Sequence, residues 1–478
     1  MRQPERFRGK FGKLRNDDLP RHVRRSLVNS HRLATPARAN LRLAMNRRAF
    51  LQTTALASAG LPFLARGADQ TGRSDDALLA EARERIAKHR RGAGALVVRD
   101  GAGKPVPGAT VKVEQVSHAF RFGCNFFMFD HCGDPDREQA YRRRFADLLN
   151  YATLGFYWPM YERERGKPIY DYTDQVLDWT RQHGITCKGH PLVWDFADPR
   201  WLPHDFAEIR QLSHARVHDC VSRFKGRLDL WDVVNEPTHL GRFGTRLGEW
   251  AQSLGAVPYV TEHLKLARAA NSTATLLVND YRTDPPFYRI LDALREDGKP
   301  MFDAIGIQSH MHDGGWPLRR IWEVCDTYAK LGRPIHFTET TVVSGPRLGP
   351  GENWGPTTPE LEAKQADYVP KFYTMLFAHP AVQALTWWDF SDLGAWQRAA
   401  AGLVRKDMSP KPAYDRLHAL IKGDWWTRAE IVTDAEGRAS LNAFFGAHRA
   451  TVKTASGQSV SRELRWSPNQ ENRIELTV

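Results

Sequence analysis

Trp231-Asp232-Val233-Val234-Asn235-Glu236-Pro237 carries an apolar run straight into an amide, a carboxyl group and a proline. Such a run reads as a short buried strand over residues 228–234, which delivers Asn235 and Glu236 to its C-terminal mouth and stops at the proline. In a parallel α/β barrel the C-terminal strand ends form the reaction face, whereas a structural glutamate belongs on a helix or in a solvated loop. A partner acid is therefore the next feature to look for. Pro334-Ile335-His336-Phe337-Thr338-Glu339-Thr340 is a second apolar run that ends in a carboxylate. Cleaving a glycosidic bond needs two carboxyl groups, one to protonate the leaving oxygen and one to attack or to activate water. Glu236 and Glu339 are thus candidate catalytic residues. One strand-end glutamate alone is more often structural; two on one rim, with histidine and tryptophan nearby, point to chemistry.

Outward from these two runs the chain offers eight strand candidates separated by helix-length segments. They cover residues 118–125, 151–158, 185–194, 228–236, 274–281, 304–310, 334–340 and 384–390. Eight β/α alternations over about 300 residues predict an α/β fold, a TIM (β/α)8 barrel. Glu236 then ends strand four and Glu339 strand seven. Gln308 and His310 alternate along strand six, so both face the mouth.

Residues 75–91 alternate Ala, Leu and Ile with charge at helical spacing, with Ser74 as the expected N-cap. Period-two strands follow at 95–99 and 109–115, and again at 429–433, 439–445, 449–453 and 473–478, with turns at 100–105 and 434–437. These predict a small β-sandwich-like appendage built from the N- and C-terminal segments. The expected organisation is residues 69–117 as N-terminal helix and β appendage, 118–422 as catalytic barrel, and 423–478 as the C-terminal β segment packing with the first.

The motifs WDVVNEP (231–237), GHPLVW (189–194), GIQSH (306–310), FTET (337–340) and WWDFSDLGAW (387–396) stand in the order found in glycoside hydrolase family 10. The chain resembles a xylanase-type retaining glycosidase from about residue 118 to 420. The resemblance implies that Glu236 is the general acid/base and Glu339 the nucleophile, with the carboxyl groups about 5 to 5.5 Å apart as retention requires. It implies substrate-binding roles for Asn235 at the sugar 2-hydroxyl, His190 and Trp194 at the end of strand three, Gln308 beside Glu236, His310 on the nucleophile, and Trp388 and Trp396 as indoles flooring the cleft. His312 has a weaker claim. The division of labour needs apolar surroundings for Glu236, favouring its protonated form, and hydrogen-bond donors around Glu339. The sequence departs from the family where strand two ends: Phe156 and Pro159 fall at two polar sugar-binding positions. Thr341 replaces an aspartate that would orient His310, and Asp195 stands where a histidine is common. Catalytic machinery is expected to be kept and the recognition of non-reducing-side sugars rebuilt. The default substrate is β-1,4-xylan-type plant cell-wall polysaccharide. The alternatives are another β-linked or decorated glycan, or a non-catalytic carbohydrate-binding protein on a degenerate barrel.

The formal charge of +13 would fit a nucleic-acid binder until it is located. Residues 1–50 hold 14 Lys and Arg against 3 Asp and Glu, so +11 of the +13 lies there and the remainder is close to neutral. The basic signal belongs to the leader. Arg47-Arg48 before the mostly apolar run 53–65 reads as a twin-arginine export signal over residues 45–68, too short to span a membrane. The mature protein is expected in the periplasm or outside the cell, with no membrane anchor. Residues 1–44 are read as a mis-called extension or a basic disordered arm. Five cysteines, at 124, 132, 187, 220 and 325, form no CxxC pair or metal-ligand spacing. A Cys124–Cys132 bridge and buried thiols are both open. No nucleotide or phosphate motif occurs, and His214 and His218, four apart, fit a helix surface. The expected partner is a polysaccharide or oligosaccharide, with no cofactor, no metal and no nucleic acid.

Overall fold

A computed structural model of the chain describes residues 73–349 and 354–478. The basic extension and the export-signal reading lie outside the described residues. Eight parallel strands close into a barrel: Arg121–Asn125, Tyr151–Gly155, Thr186–His190, Leu230–Asn235, Thr275–Asp280, Ala304–Ile307, Ile335–Val342 and Val382–Trp387. Each pairs with the next, and the eighth returns to the first through Ala384 opposite Arg121 and Trp387 opposite Cys124. Closure leaves no free edge, and helices over the outside with side chains filling the inside bury these strands on both faces.

Helices start where side chains can accept the orphan N–H groups of their first turns. Asp134 accepts from Arg137, Asp205 from Glu208 and Thr358 from Leu361, and proline stands in the first turn after Asp134 and Thr358. The expected Ser74 cap is present on helix Asp75–His89, accepting from the Ala77 N–H. Close strand-to-strand packing needs glycine at one point in particular. A Cβ on Gly189 would sit 2.2 Å from the Trp231 indole, which fills the space between strands three and four.

Strands from both ends of the chain build two further sheets. Arg91–Arg99 pairs with Arg438–Phe444 and Asn472–Thr477. Thr110–His118 pairs with Arg428–Val432 and Gly446–Lys453, which in turn pairs with Ser459–Trp466. Leu96, Val98, Val111, Val113, Ala450, Val452 and Trp466 form one buried cluster between them. The strand Ser459–Trp466 was not expected from sequence, because Arg462 interrupts its apolar alternation. His118 sits at the joint with the barrel, edge-on to Phe122, Phe377, Trp426 and Phe444. Burial there pushes its imidazole down to about 3, so it packs as a neutral ring. All five cysteines are buried free thiols, and the Cys124–Cys132 bridge is not formed. No described helix is long and apolar enough to cross a membrane.

Candidate active site

The C-terminal rim of the barrel gathers its polar side chains from consecutive strands. Asn235 is the last residue of strand four, and Glu236 follows in the left-handed region, at φ 58° and ψ 47°, before a short 3-10 turn at Pro237–His239. A non-glycine residue held there costs on the order of 1–3 kcal/mol and persists only where surrounding contacts over-determine it. Those contacts are present: the Glu236 N–H donates to the Asn279 carbonyl at 2.7 Å, and Gln308 Nε2 donates to Glu236 Oε1 at 2.9 Å. The Glu339 N–H donates to the Gln308 carbonyl at 3.1 Å. The two glutamates are 6% and 4% exposed, so each is held within the rim rather than waving in solvent.

A bridge of amides joins them. Asn279 Nδ2 donates both to Asn235 Oδ1 at 2.8 Å and to Glu339 Oε1 at 2.7 Å, while Gln308 Nε2 also approaches Asn235 Oδ1 at 3.3 Å. Asn279 is the penultimate residue of strand five in Leu-Leu-Val-Asn-Asp, a polar pair closing an apolar run. The rule that singled out Glu236 would have found it.

Glu339 is surrounded by donors. His310 Nε2 lies 3.1 Å from Oε2, and His190 Nε2 3.7 Å from Oε1. Burial alone would raise its carboxyl, but the charge of His190 and the His310 hydrogen bond outweigh burial and hold it below the usual glutamate range. His310 is oriented in turn by Thr341 Oγ1 at 2.9 Å from Nδ1. Thr341, standing at the family's aspartate position, thus reaches the same imidazole by a neutral contact. Behind His190 lies a fully buried ion pair: Asp232 Oδ2 accepts from His190 Nδ1 at 2.7 Å and from Lys188 Nζ at 2.5 Å. Lys188 and His190 alternate on strand three, so both point inward.

The surroundings of Glu236 are not apolar as expected. Arg242 pairs with Oε2, and the Trp194 indole N–H donates to the same oxygen at 3.2 Å. Arg242 comes from the loop after strand four, where no periodicity marks a functional side chain.

Trp388 is buried, edge-on to His190 and His310 with ring centroids 5.2 and 6.0 Å away. Trp194 stacks on Phe196 at 4.6 Å, and Phe196 lies 6.2 Å from Trp396. His312 packs beside His310 and Trp354. Asp392 is engaged internally by Lys411 Nζ at 2.8 Å and the Gly402 N–H. The reading of Phe156 as a cleft residue is corrected. Its ring is fully buried and stacks on Tyr161 at 4.6 Å, edge-on to Trp231 and Phe224. Its chain neighbour Tyr157 lies on the cleft side instead, 5.6 Å from His190 and 5.9 Å from Trp194. Phe156, Tyr157 and Trp158 are three aromatic residues in a row, so alternation could not tell which ring faces the cleft.

A nucleophilic role for Glu339, as the family resemblance implies, needs its ionised form. Because the carboxyl is held down, kcat/KM should stay level as pH falls through the ordinary glutamate range and drop only below it. His310→Ala removes one of the interactions lowering it and should shift that acid limb upward. A pH–rate profile of the two proteins checks this.

Two carboxylates on the rim of a closed parallel barrel, Glu236 just past the end of strand four and Glu339 within strand seven, define the class of the molecule, a (β/α)8 barrel with a paired acidic rim. The family model described as glycosyl hydrolase family 10 matches residues 128–420, more than half of the chain, and the chain belongs to that family. It is 27% identical over 321 residues to endo-1,4-beta-xylanase B of Thermotoga neapolitana, covering 63% of this chain and 88% of that one. It is 28% identical over 386 residues to the anti-sigma-I factor RsgI6 of Acetivibrio thermocellus, covering 78% of this chain and 46% of that one. Endo-1,4-beta-xylanase 5 of Arabidopsis thaliana is 26% identical over 355 residues, with 69% and 56% covered. The chain thus spans about half the length of these last two relatives. Among solved structures, xylanase 10B of Thermotoga petrophila RKU-1 in complex with xylobiose shares the fold with a TM-score of 0.55 at 23% identity, covering 64% of this chain and 95% of that one.

Proposed function

We propose that the protein is a retaining glycoside hydrolase that cleaves β-1,4-xylan-type plant cell-wall polysaccharide through a covalent glycosyl-enzyme intermediate. The observation that carries this reading is the amide bridge, in which Asn279, Asn235 and Gln308 tie Glu236 and Glu339 into one hydrogen-bonded unit. The xylanase names of several family relatives support the substrate class. In the first step a Glu339 oxygen attacks the anomeric carbon while Glu236 gives its proton to the leaving oxygen and the glycosidic C–O bond breaks. In the second, Glu236 takes a proton from water, the hydroxide attacks the same carbon, and Glu339 leaves as carboxylate. Asn235 meets the sugar 2-hydroxyl, a contact that tightens as the oxocarbenium-like state forms. His190 and His310 hold the nucleophile ionised, Trp194 and Gln308 orient the acid, and the rings of Trp388 and Trp396 wall the groove. In this reading residues 118–422 are the catalytic unit, residues 69–117 and 423–478 its appendage, and residues 45–68 direct export to the periplasm or beyond.

The test is a panel of plant cell-wall polysaccharides incubated with the wild-type protein and analysed for reducing ends. Release from xylan is expected, and release from a different β-linked glycan alone would redirect the substrate. Binding without release from any member would favour a non-catalytic carbohydrate-binding protein on a degenerate barrel.

A further inference from the structure

The loop after barrel strand four sets a guanidinium against the proposed acid. Arg242 Nη2 donates to Glu236 Oε2, and its guanidinium carbon lies 4.3 Å from the Phe243 ring centroid and 5.2 Å from that of Tyr281. Arg242 Nε is buried and has no acceptor. The side chain is 23% exposed, so it reaches the cleft rather than ending in the core. Its loop is anchored by Asp195, whose carboxylate accepts from the Gly241 N–H at 2.7 Å and whose carbonyl accepts from the Thr245 hydroxyl at 2.8 Å. The family departure at Asp195 therefore positions this loop.

The nearby charges do not satisfy Arg242. Arg282 donates to Asp284 and lies 3.1 Å from His239 Nε2, while His239 Nδ1 meets the Tyr281 hydroxyl. Asp280 is occupied by the Thr238 N–H and hydroxyl and by the Arg282 N–H. Burial pushes Asp195 up to about 6 and Asp280 up to about 7, which weakens both as counter-ions at neutral pH. Among the described residues, Glu236 is the carboxylate with which Arg242 pairs.

That pairing conflicts with the acid's task. Glu236 must carry a proton when it meets the leaving oxygen, and a protonated carboxyl no longer neutralises a guanidinium. Arg242 is then a cation without a carboxylate partner, its Nη2 end at the edge of the cleft. Because the acid protonates the leaving oxygen, a group on its outer carboxyl oxygen flanks the leaving sugar. Trp194, Phe196 and Phe243 run beside it as a continuous aromatic strip, with Trp194 and Phe196 at 4.6 Å and Phe196 and Phe243 at 5.3 Å. Trp194 and Phe196 are the half-buried members of the strip while Phe243 is buried under the guanidinium, and the guanidinium fork matches a carboxylate. We propose that Arg242 forms a carboxylate subsite on the leaving-group side, recognising a uronic acid carried by the glycan. The inference rests on the glycosidase reading above and deepens it: an acidic decoration replaces Glu236 as the partner of Arg242 and frees the acid to hold its proton.

The full-length protein is assayed on glucuronoxylan and on the same polymer after chemical reduction of its uronic carboxyls to alcohols. The expected result is a kcat/KM roughly tenfold higher on the acidic polymer. The preference should shrink as salt is added, vanish in Arg242→Met and be only partly kept in Arg242→Lys, whose ammonium cannot present a fork. Equal turnover of both polymers by the wild type would overturn the subsite, and this comparison needs no variant. Arg242→Met slowing both polymers by the same factor would also overturn it, making Arg242 a positioning residue for Glu236 alone. Product formed without any preference leaves the glycosidase reading standing; no product from any glycan removes both.

Discussion

On the proposed retaining mechanism, Glu339→Gln will lower xylan turnover by roughly ten-thousand-fold or more, because a single missing nucleophile disables the whole covalent route. The amide keeps the shape and can still face Asn279 Nδ2 and the two imidazoles, so folding should be preserved and the loss assignable to chemistry. The complementary experiment separates the two acids. Glu236→Ala should cut turnover of xylan by about 100-fold to 10,000-fold, the usual worth of a positioned proton donor. It should spare the first step with a dinitrophenyl β-xylobioside, whose leaving group needs no proton. The second step then lacks its base, so the glycosyl-enzyme should accumulate as a mass increase of one xylobiosyl unit on a peptide holding Glu339. Added azide should restore turnover and give a β-glycosyl azide. Label on any other residue, or an α-azide product, would refute the assigned roles.

Lys188→Met is expected to be the most damaging change to stability near the site. It strands the Asp232 carboxylate at zero exposure, where Oδ1 already has no partner, and His190 Nδ1 at 2.7 Å is left as its remaining support. Breaking a buried pair by removing one partner costs about 3–5 kcal/mol. Burial alone would raise Asp232, yet the Lys188 charge and the His190 bond hold it below the usual aspartate range in the wild type. A carboxylate depressed in the folded state contributes stability that is complete above its unfolded value and is lost as pH falls through the folded one. The deficit of Lys188→Met, measured by urea unfolding, should therefore be greatest near neutrality and shrink in acid, where a protonated Asp232 is cheaper to bury. Lys188→Met with Asp232→Asn should recover much of the loss, since no buried charge remains. A double variant as unstable as the single one would show that the pair matters through shape rather than charge.

Asp232 also shows why strand-level reading reaches only part of the site. It sits inside the Trp231–Pro237 run that revealed Glu236, yet alternation alone says only that it faces inward, not that Lys188 and His190 meet it from the neighbouring strand. The barrel, its eight strands and Glu236 just past a strand end were legible because they rest on local signals: apolar runs of strand length, prolines and polar caps. Glu339 was legible as a rim acid, although strand seven runs past it to Val342. Gln308 and His310 were expected from period-two alternation along strand six, but that strand ends at Ile307 and Ser309 turns the backbone at φ 56°, so the local turn, not alternation, brings both side chains to the rim. Asn279 carries the same kind of signal, a polar pair at the close of an apolar run.

The one-dimensional pattern by itself thus determined the fold class and the carboxylates to be placed on one rim, because strand closure and side-chain alternation are properties of short contiguous stretches. Tertiary structure alone decided that Phe156 is core and Tyr157 cleft, that Thr341 holds His310, and that Arg242 lies on Glu236. Each depends on which loop or strand stands next in space, and a contact between segments far apart in the chain leaves no periodicity in either of them.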